Sequence, residues 1–599
     1  MNGPRQPAFI RRAVSFFKDS TAGTGDRATV LPAKTAEQVA APEQAVVIGG
    51  GISGLATAGL LARDGHRVTV LEKQQDLGGR AGRWEKDGFV FDTGPSWYLM
   101  PEVIDHWFKM MGTSAADELE LTRLDPAYRL FSGPGEVTVD VRTGRAESIA
   151  LFESQHPGSG AALAKYLDSA ELAYTLAKRH FLYDPFGTLR GLLNPAVLRH
   201  GPKLLQLLTQ TLDSYAARRF SDPLQQKILG YPAVFLGTSP NKAPSIYHLM
   251  SHLDLQDGVL YPQGGFMAVV DAMERVVRKA GVTISTRATA TAILTASATT
   301  PIRCEAVSWR DGEGAEHSTP ATLVVGAADL HHIETRLLPE RQRTISAKKW
   351  SKADPGISAV LVCLGVQGRL PALSHHNLLF TEDWQDNFAR IIQGRTLADT
   401  TSLYVSRPSA TDSSVAPEGC ENLFVLVPAP ALPRWGRGGI DGTGSAQVEQ
   451  VADAAIAQLA LWSGTPDLAE RIVVRRSYGP ADFQDNVNAW QGSALGLAHT
   501  LRQSAFLRPG NVNHKVAGLY YAGSSVRPGI GVPLCMISAE LVLKSVREDT
   551  SSGPLPEPPA PTTRAADVQP PAVDVGDHDV AHAEAVDADA ALPKGVGGA

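Results

Sequence analysis

The chain predicts an α/β fold. A Rossmann-like nucleotide-binding domain is assembled from discontinuous segments and sits beside a mixed α+β domain. Three observations predict it: a glycine-rich strand–turn–helix–strand unit over residues 45–72, two later apolar strand-like runs at 321–326 and 518–523, and the long excursions that separate the three. In the first unit, residues 45–48 (Ala-Val-Val-Ile) read as a buried strand and 49–54 (Gly-Gly-Gly-Ile-Ser-Gly) as a turn opening a helix. Residues 68–71 (Val-Thr-Val-Leu) read as a second strand tipped by Glu72. Gly49 suits the tight turn, Gly51 lets a pyrophosphate approach the backbone, and Gly54 lets the helix pack closely. The helix start offers unpaired N–H groups and a positive dipole end to phosphates. Glu72 stands where a carboxylate accepts hydrogen bonds from a ribose diol.

The next segment separates a flavin from a nicotinamide. Residues 74–83 contain Gly78-Gly79-Arg80, in which the glycine pair lets the chain cross close to a cofactor and the planar fork of Arg80 can hold phosphate. Residues 88–97 read as a short strand ending in the rigid turn Gly94-Pro95. These segments resemble those of the large FAD-dependent amine-oxidase and desaturase superfamily, which implies FAD.

Composition is compatible with a large flavoenzyme. With 599 residues, the chain exceeds one domain of the usual ~100–200 residues. At 43% hydrophobic and 20% charged it can bury a sizeable core. A net charge of −6 and the lack of a long basic cluster exclude nucleic acid as a partner. The four cysteines are scattered, show no metal spacing and suit a reducing cytoplasm, so no metal is expected. No run reaches the ~18 apolar residues needed to span a bilayer.

The core elements follow in order. Residues 159–254 are mostly helical. A run at 258–266 leads into a helix over 267–279, a strand is expected at 282–284, and strands dominate 356–427. A closing helix covers 534–547. The nucleotide-binding domain is thus expected from 44–125, 258–335 and 478–548, and the substrate domain from 126–257 and 336–477. Residues 1–43 read as a disordered leader in which 9–18 can form an amphipathic helix, with Phe9, Ile10, Ala13, Val14, Phe16 and Phe17 on one face, Arg11, Ser15 and Lys18 opposite and Arg12 at the border. Lys18 and Asp19 break the apolar region that a twin-arginine export signal requires. Residues 549–599 read as a disordered acidic tail, rich in Pro, Ala, Val and Asp.

Three blocks name a narrower family. Residues 87–101, residues 261–266 with 328–332, and residues 523–533 (Gly-Ser-Ser-Val-Arg-Pro-Gly-Ile-Gly-Val-Pro) together resemble bacterial phytoene desaturases of carotenoid biosynthesis, over about 44–548. The resemblance implies an amine-oxidase/glutathione-reductase-like architecture. It places Gly49, Gly51, Ser53 and Gly54 on the FAD pyrophosphate, Glu72 on the ribose, and Gly79 and Arg80 by the diphosphate. Gly94 and Pro95 join the cofactor-binding set, the backbone of Ala288 meets the adenine, and Gly523, Gly531 and Val532 approach the flavin. It departs from the family at Val526-Arg527, where Thr-His is common, and at Ile530, where small residues are usual.

The implied reaction moves an allylic hydride of phytoene, or a related long isoprenoid, to the flavin and releases a neighbouring proton, with oxygen or a quinone as final acceptor. The cofactor carries the hard step, and the protein orients one C–H bond in a dry tunnel. No catalytic acid or base is assigned. His331-His332 and His375-His376 are adjacent pairs, which favours structural or surface roles over a metal or base, and Arg190 suits a solvated helix better than a place facing the substrate. Trp97, Tyr98, Tyr247 and Trp384 are candidates for a tunnel wall. A ketolase, isomerase or diapocarotenoid desaturase, an amine oxidase, and a lipid-binding flavoprotein without catalysis remain as alternatives. A hydrocarbon substrate and a chain without a spanning helix imply a cytoplasmic protein docked peripherally on the cell membrane surface.

Overall fold

The computed structural model describes residues 43–134, 139–185, 199–296 and 301–558. The helix expected at 9–18, the tail beyond 558 and Arg190 lie outside the described residues.

Five parallel strands form the first sheet, in the spatial order Leu519–Tyr521, Leu323–Gly326, Gln44–Ile48, Arg67–Leu71, Thr283–Ser285. Ala45, Val46 and Val47 are fully buried at its centre, as befits a parallel strand covered on both faces. Chain order reverses between Gln44–Ile48 and Leu323–Gly326. The crevice beyond the carboxyl ends of these two strands is the switch point at which such sheets bind ligands. The first helix, Ile52–Arg63, packs between the helices Phe266–Lys279 and Val532–Val546. The approach is close: a Cβ at Gly59 would lie 3.0 Å from Met111 and 3.1 Å from Val277.

A second, seven-stranded sheet runs Ile472–Tyr478, Ser358–Gln367, Cys420–Ala429, Leu403–Ser406, His376–Leu379, Tyr128–Phe131, Val139–Val141. All neighbours are antiparallel except His376–Leu379 with Tyr128–Phe131. Its long strands are buried on both faces, so they read as unbroken apolar runs rather than alternating ones. One face packs on the helix Ala446–Trp462. The other meets Phe89 and Phe91 and turns toward the crevice.

Residues 289–320 form an antiparallel meander (Thr289–Ala296, Arg303–Arg310, Glu316–Pro320) between two strands of the parallel sheet. One expectation needs correction. The acidic tail was expected from 549, but residues 549–558 are held to the body. Leu555 is buried, and the buried ammonium of Lys544 donates to the carbonyls of Tyr183, Ser551 and Gly553 at 2.6–2.8 Å. His106 bridges Glu540 and Glu557. A composition poor in aromatics cannot show a strap that is tied down by one cation and one leucine.

Candidate functional site

A cavity of about 460 Å³ opens at the switch point and runs under the seven-stranded sheet. Its first end is built from backbone. The turn Gly49–Gly54 joins the central strand to the first helix, whose first residues carry no side-chain cap, so their N–H groups face the cavity. The glycines serve different ends. At Gly54 a Cβ would lie 1.9 Å from the carbonyl oxygen of Gly49, so the turn itself demands glycine there. At Gly51 the nearest atoms would stand at 3.6 Å, leaving room that a Cβ would fill in place of a ligand. Gly79 lies against the Cα of Gly51 in the left-handed region, with φ +63°. Gly94 packs on the carbonyl of Arg80.

Glu72 is buried and anchored: Oε2 accepts from the N–H of Gly50 at 2.6 Å and Oε1 from that of Gln74 at 2.8 Å. Each oxygen keeps a second lone pair, enough for a diol. Arg80 faces the same cavity. Its Nε and Nη2 are buried without a hydrogen-bond partner among the described residues, and its nearest carboxylate, Asp329, is 3.9 Å away. Desolvation holds its pKa below the usual guanidinium range, with Asp329 opposing that shift. An under-paired, half-buried cation beside uncapped helix N–H groups fits a phosphate. Ala288 lines the cavity, but its N–H already donates to the carbonyl of Glu72 at 2.8 Å. Its carbonyl and methyl are what remain to meet a ligand there.

Ser53, Pro95, Gly523, Gly531 and Val532 line the same cavity. Gly523 sits with φ +125° against Ser53, and Gly531 with φ +130° starts the uncapped closing helix. Arg508, fully buried, donates to the carbonyls of Leu497, Ser524 and Val526 and so shapes the loop before that helix. Arg527, the departure noted above, donates to the carbonyl of Phe506 and does not line the cavity. Ile530 does.

The other end is apolar, walled by Ala359, Leu361, Phe424 and Leu426 of the second sheet and by Trp97, Phe235 and Leu253. Of the four aromatic candidates, each of which reads singly as ordinary core, Tyr247 and Trp97 line it. Tyr98 and Trp384 do not: Tyr98 is core against Phe266, and Trp384 packs on Phe380 and Phe388. His331 is stacked on Trp490 in a short helix whose N–H groups Asp329 caps, a structural placement. No cluster able to hold a metal occurs among the described residues. Sequence reading missed Ser96 and Tyr404, whose hydroxyls meet 2.7 Å apart on the wall. They are 308 residues apart in the chain, and no local pattern marks the pair.

Comparison with known proteins agrees with this geometry. The model of the flavin containing amine oxidoreductase family matches residues 52–542. A carotenoid 3,4-desaturase of Haloarcula japonica is 41% identical over 508 residues, covering 85% of this chain and 98% of that protein. A zeta-carotene-forming phytoene desaturase of Myxococcus xanthus is 34% identical, covering 83% and 92%. A 4,4'-diapophytoene desaturase of Staphylococcus aureus is 30% identical, covering 85% and 99%. Among solved structures, an oxidoreductase from Methanosarcina mazei superposes with a TM-score of 0.54 at 17% identity, covering 84% of this chain and all of that one. A putrescine oxidase variant superposes with 0.52 at 14%, covering 85% and 98%. These two speak for the fold. The chain belongs to the flavin containing amine oxidoreductase family, among its carotenoid desaturases. It is an FAD-dependent oxidoreductase acting on CH–CH bonds.

Proposed function

We propose that this family member desaturates phytoene, or a carotenoid derived from it, at a membrane surface. The observation that carries the reading is the continuity of one cavity, from the phosphate-ready turn at Gly49–Gly54 to an apolar wall beneath the second sheet. FAD, when bound, supplies a two-electron acceptor for hydride. The chain's own residues do the rest. Gly51, Ser53, Glu72, Gly79 and Arg80 would bind the adenosine diphosphate, with Ala288 at the adenine. Gly94, Pro95, Gly523, Gly531 and Val532 would flank the flavin. Ala359, Leu361 and Phe424 exclude water and hold an extended hydrocarbon against it. In domain terms, segments 44–125, 258–335 and 478–548 carry the cofactor, and 126–257 with 336–477 carry the substrate.

Two substrates are favoured by different observations. The blocks at 87–101 and 523–533 resemble phytoene desaturases, whereas the 41% identity to a carotenoid 3,4-desaturase favours a more unsaturated substrate. A long hydrocarbon is insoluble in water, and no helix among the described residues is long and apolar enough to cross a membrane. The enzyme would therefore collect its substrate by peripheral docking on the cell membrane, passing electrons on to oxygen or a quinone. The test is expression in one host that accumulates phytoene and in another that accumulates lycopene. A new, longer-wavelength absorption in either extract is expected, and the host that responds names the substrate. Unchanged pigments in both, with FAD-loaded protein present, would sink the reading.

A further inference from the structure

Three phenols of the substrate half reach the cavity wall, Tyr174, Tyr247 and Tyr404, and each is tied to a titratable partner. The hydroxyl of Tyr174 donates outward to Glu102, a carboxylate already paired with Lys178. Tyr247 meets Nδ1 of His499. That histidine is committed: its Nε2 accepts the backbone N–H of Ile530 at 3.0 Å, which fixes the proton on Nδ1, where it is donated to Tyr247. It can accept no further proton without giving up Ile530.

Tyr404 differs. Its hydroxyl lies 2.7 Å from Nδ1 of His376 on one side and 2.7 Å from Oγ of Ser96 on the other. His376 is fully buried, stacked on Trp97 at 4.7 Å and 12°. Its Nε2 has no hydrogen-bond partner among the described residues, so nothing there selects its tautomer. Ser96 follows Gly94-Pro95 directly, at the place where the cavity passes from its glycine-built end to its apolar one.

We propose that Ser96, Tyr404 and His376 form the path by which the substrate loses its proton, with Ser96 the group that touches it. The proposal rests on the desaturase reading. One allylic C–H bond breaks and its electron pair leaves as hydride to the flavin. On the neighbouring carbon a C–H bond breaks, and its pair becomes the new double bond. That proton bonds to Ser96 Oγ as the serine's own proton moves to Tyr404 Oη and the phenol's proton moves to His376 Nδ1. Burial, with His375 beside it, holds the His376 imidazole well below its ordinary range. A weak base suffices, because a C–H bond next to an allylic cation is strongly acidic. A weak base also gives the proton back through the same three atoms to water that enters the cavity once product has left.

The test uses FAD-loaded protein without oxygen and phosphatidylcholine vesicles carrying phytoene in one arm and lycopene in the other. Each polyene is deuterated at the carbon that loses the proton, and flavin bleaching is followed in a single turnover. Tyr404→Phe and Ser96→Ala are expected to slow the reaction by about 10²-fold, with FAD content unchanged. The deuterium effect at that carbon should grow, because proton loss becomes limiting. Tyr247→Phe and Tyr174→Phe should leave the deuterium effect as in the wild type. Without substrate, ¹⁵N-histidine spectra should show His376 neutral, its Nδ1 resonance moving in Tyr404→Phe. Wild-type rates and deuterium effects in both Tyr404→Phe and Ser96→Ala would overturn the relay and leave the desaturase standing. If neither polyene bleaches the wild-type flavin, the functional reading itself falls and takes the relay with it.

Discussion

The two ends of the cavity are made of different material. The dinucleotide end is almost all main chain: a strand, a glycine turn and a helix start within eleven residues, joined by the tip of the next strand. The apolar end is made of side chains from remote segments, where Trp97 packs against Tyr128, Tyr231, Phe235, His376 and Tyr404. Backbone sites tolerate drift in most side chains and fail at single glycines. Side-chain sites depend on no particular glycine and fail when a partner on another strand is lost. A cofactor common to many enzymes suits the first construction, and a substrate peculiar to one suits the second.

The largest expected effect breaks the junction of the two ends. Gly531 has φ +130°, and a Cβ there would meet only Leu534, at 3.7 Å, so the added bulk of Gly531→Val projects into open cavity. The strained backbone and the intruding isopropyl group act together. We expect purified Gly531→Val to be colourless, with the visible flavin bands lost while far-ultraviolet circular dichroism is retained. Wild-type FAD content would remove Gly523–Val532 from the cofactor's surroundings.

A smaller effect isolates the first end. Glu72 is already held by Gly50 and Gln74, so its carboxylate is preorganised for a diol. Glu72→Ala removes charge-assisted bonds worth roughly 1.5–3 kcal/mol, which corresponds to FAD affinity weaker by roughly 10- to 100-fold. Titration of the FAD-stripped protein by flavin fluorescence measures it. Desaturation at saturating FAD should hardly change, because the variant leaves the apolar end alone. A fall in turnover at saturating FAD would mean that the two ends are not separable.

This contrast also explains what the sequence could reveal. The glycine turn, Glu72 and Arg80 were readable because their meaning lies in spacing along one short stretch. The strand Leu323–Gly326 was readable because burial on both faces gives an unbroken apolar run, and Leu519–Tyr521 because its short apolar run ends in the glycine block 523–531. Ser96 and Tyr404 were not, since a hydroxyl acquires its role only from the group brought opposite it. The committed N–H of Ala288 was hidden for the same reason: the carbonyl of Glu72, remote in the chain, spends that donor. His375 and His376 were visible as a pair, but their burial was not. Without it nothing distinguishes a neutral relay from a surface tag.

The effect expected to be smallest on FAD binding and turnover sharpens the comparison through pH. Behind Trp97, the buried carboxylate of Asp254 accepts at Oδ2 from the hydroxyls of Tyr128 at 3.0 Å and Tyr231 at 2.8 Å. Its Oδ1 has no hydrogen-bond partner among the described residues. Desolvation pushes its pKa up to about 7 from 3.8, against the lowering effect of the two phenols. A raised carboxyl pKa means that the folded protein holds a proton that the unfolded chain releases. The stabilisation is therefore complete below about pH 4 and fades as pH rises through about 7. The change is on the order of a few kcal/mol, or several degrees in Tm for a large domain. Asp254→Asn keeps an oxygen for the tyrosines and removes the titration. Its Tm should fall less than that of the wild type between pH 5 and pH 8, measured by scanning calorimetry at constant ionic strength. Parallel pH profiles for wild type and Asp254→Asn would show that the Tyr128–Asp254–Tyr231 cluster is ionised throughout and that the aromatic end carries no proton of its own.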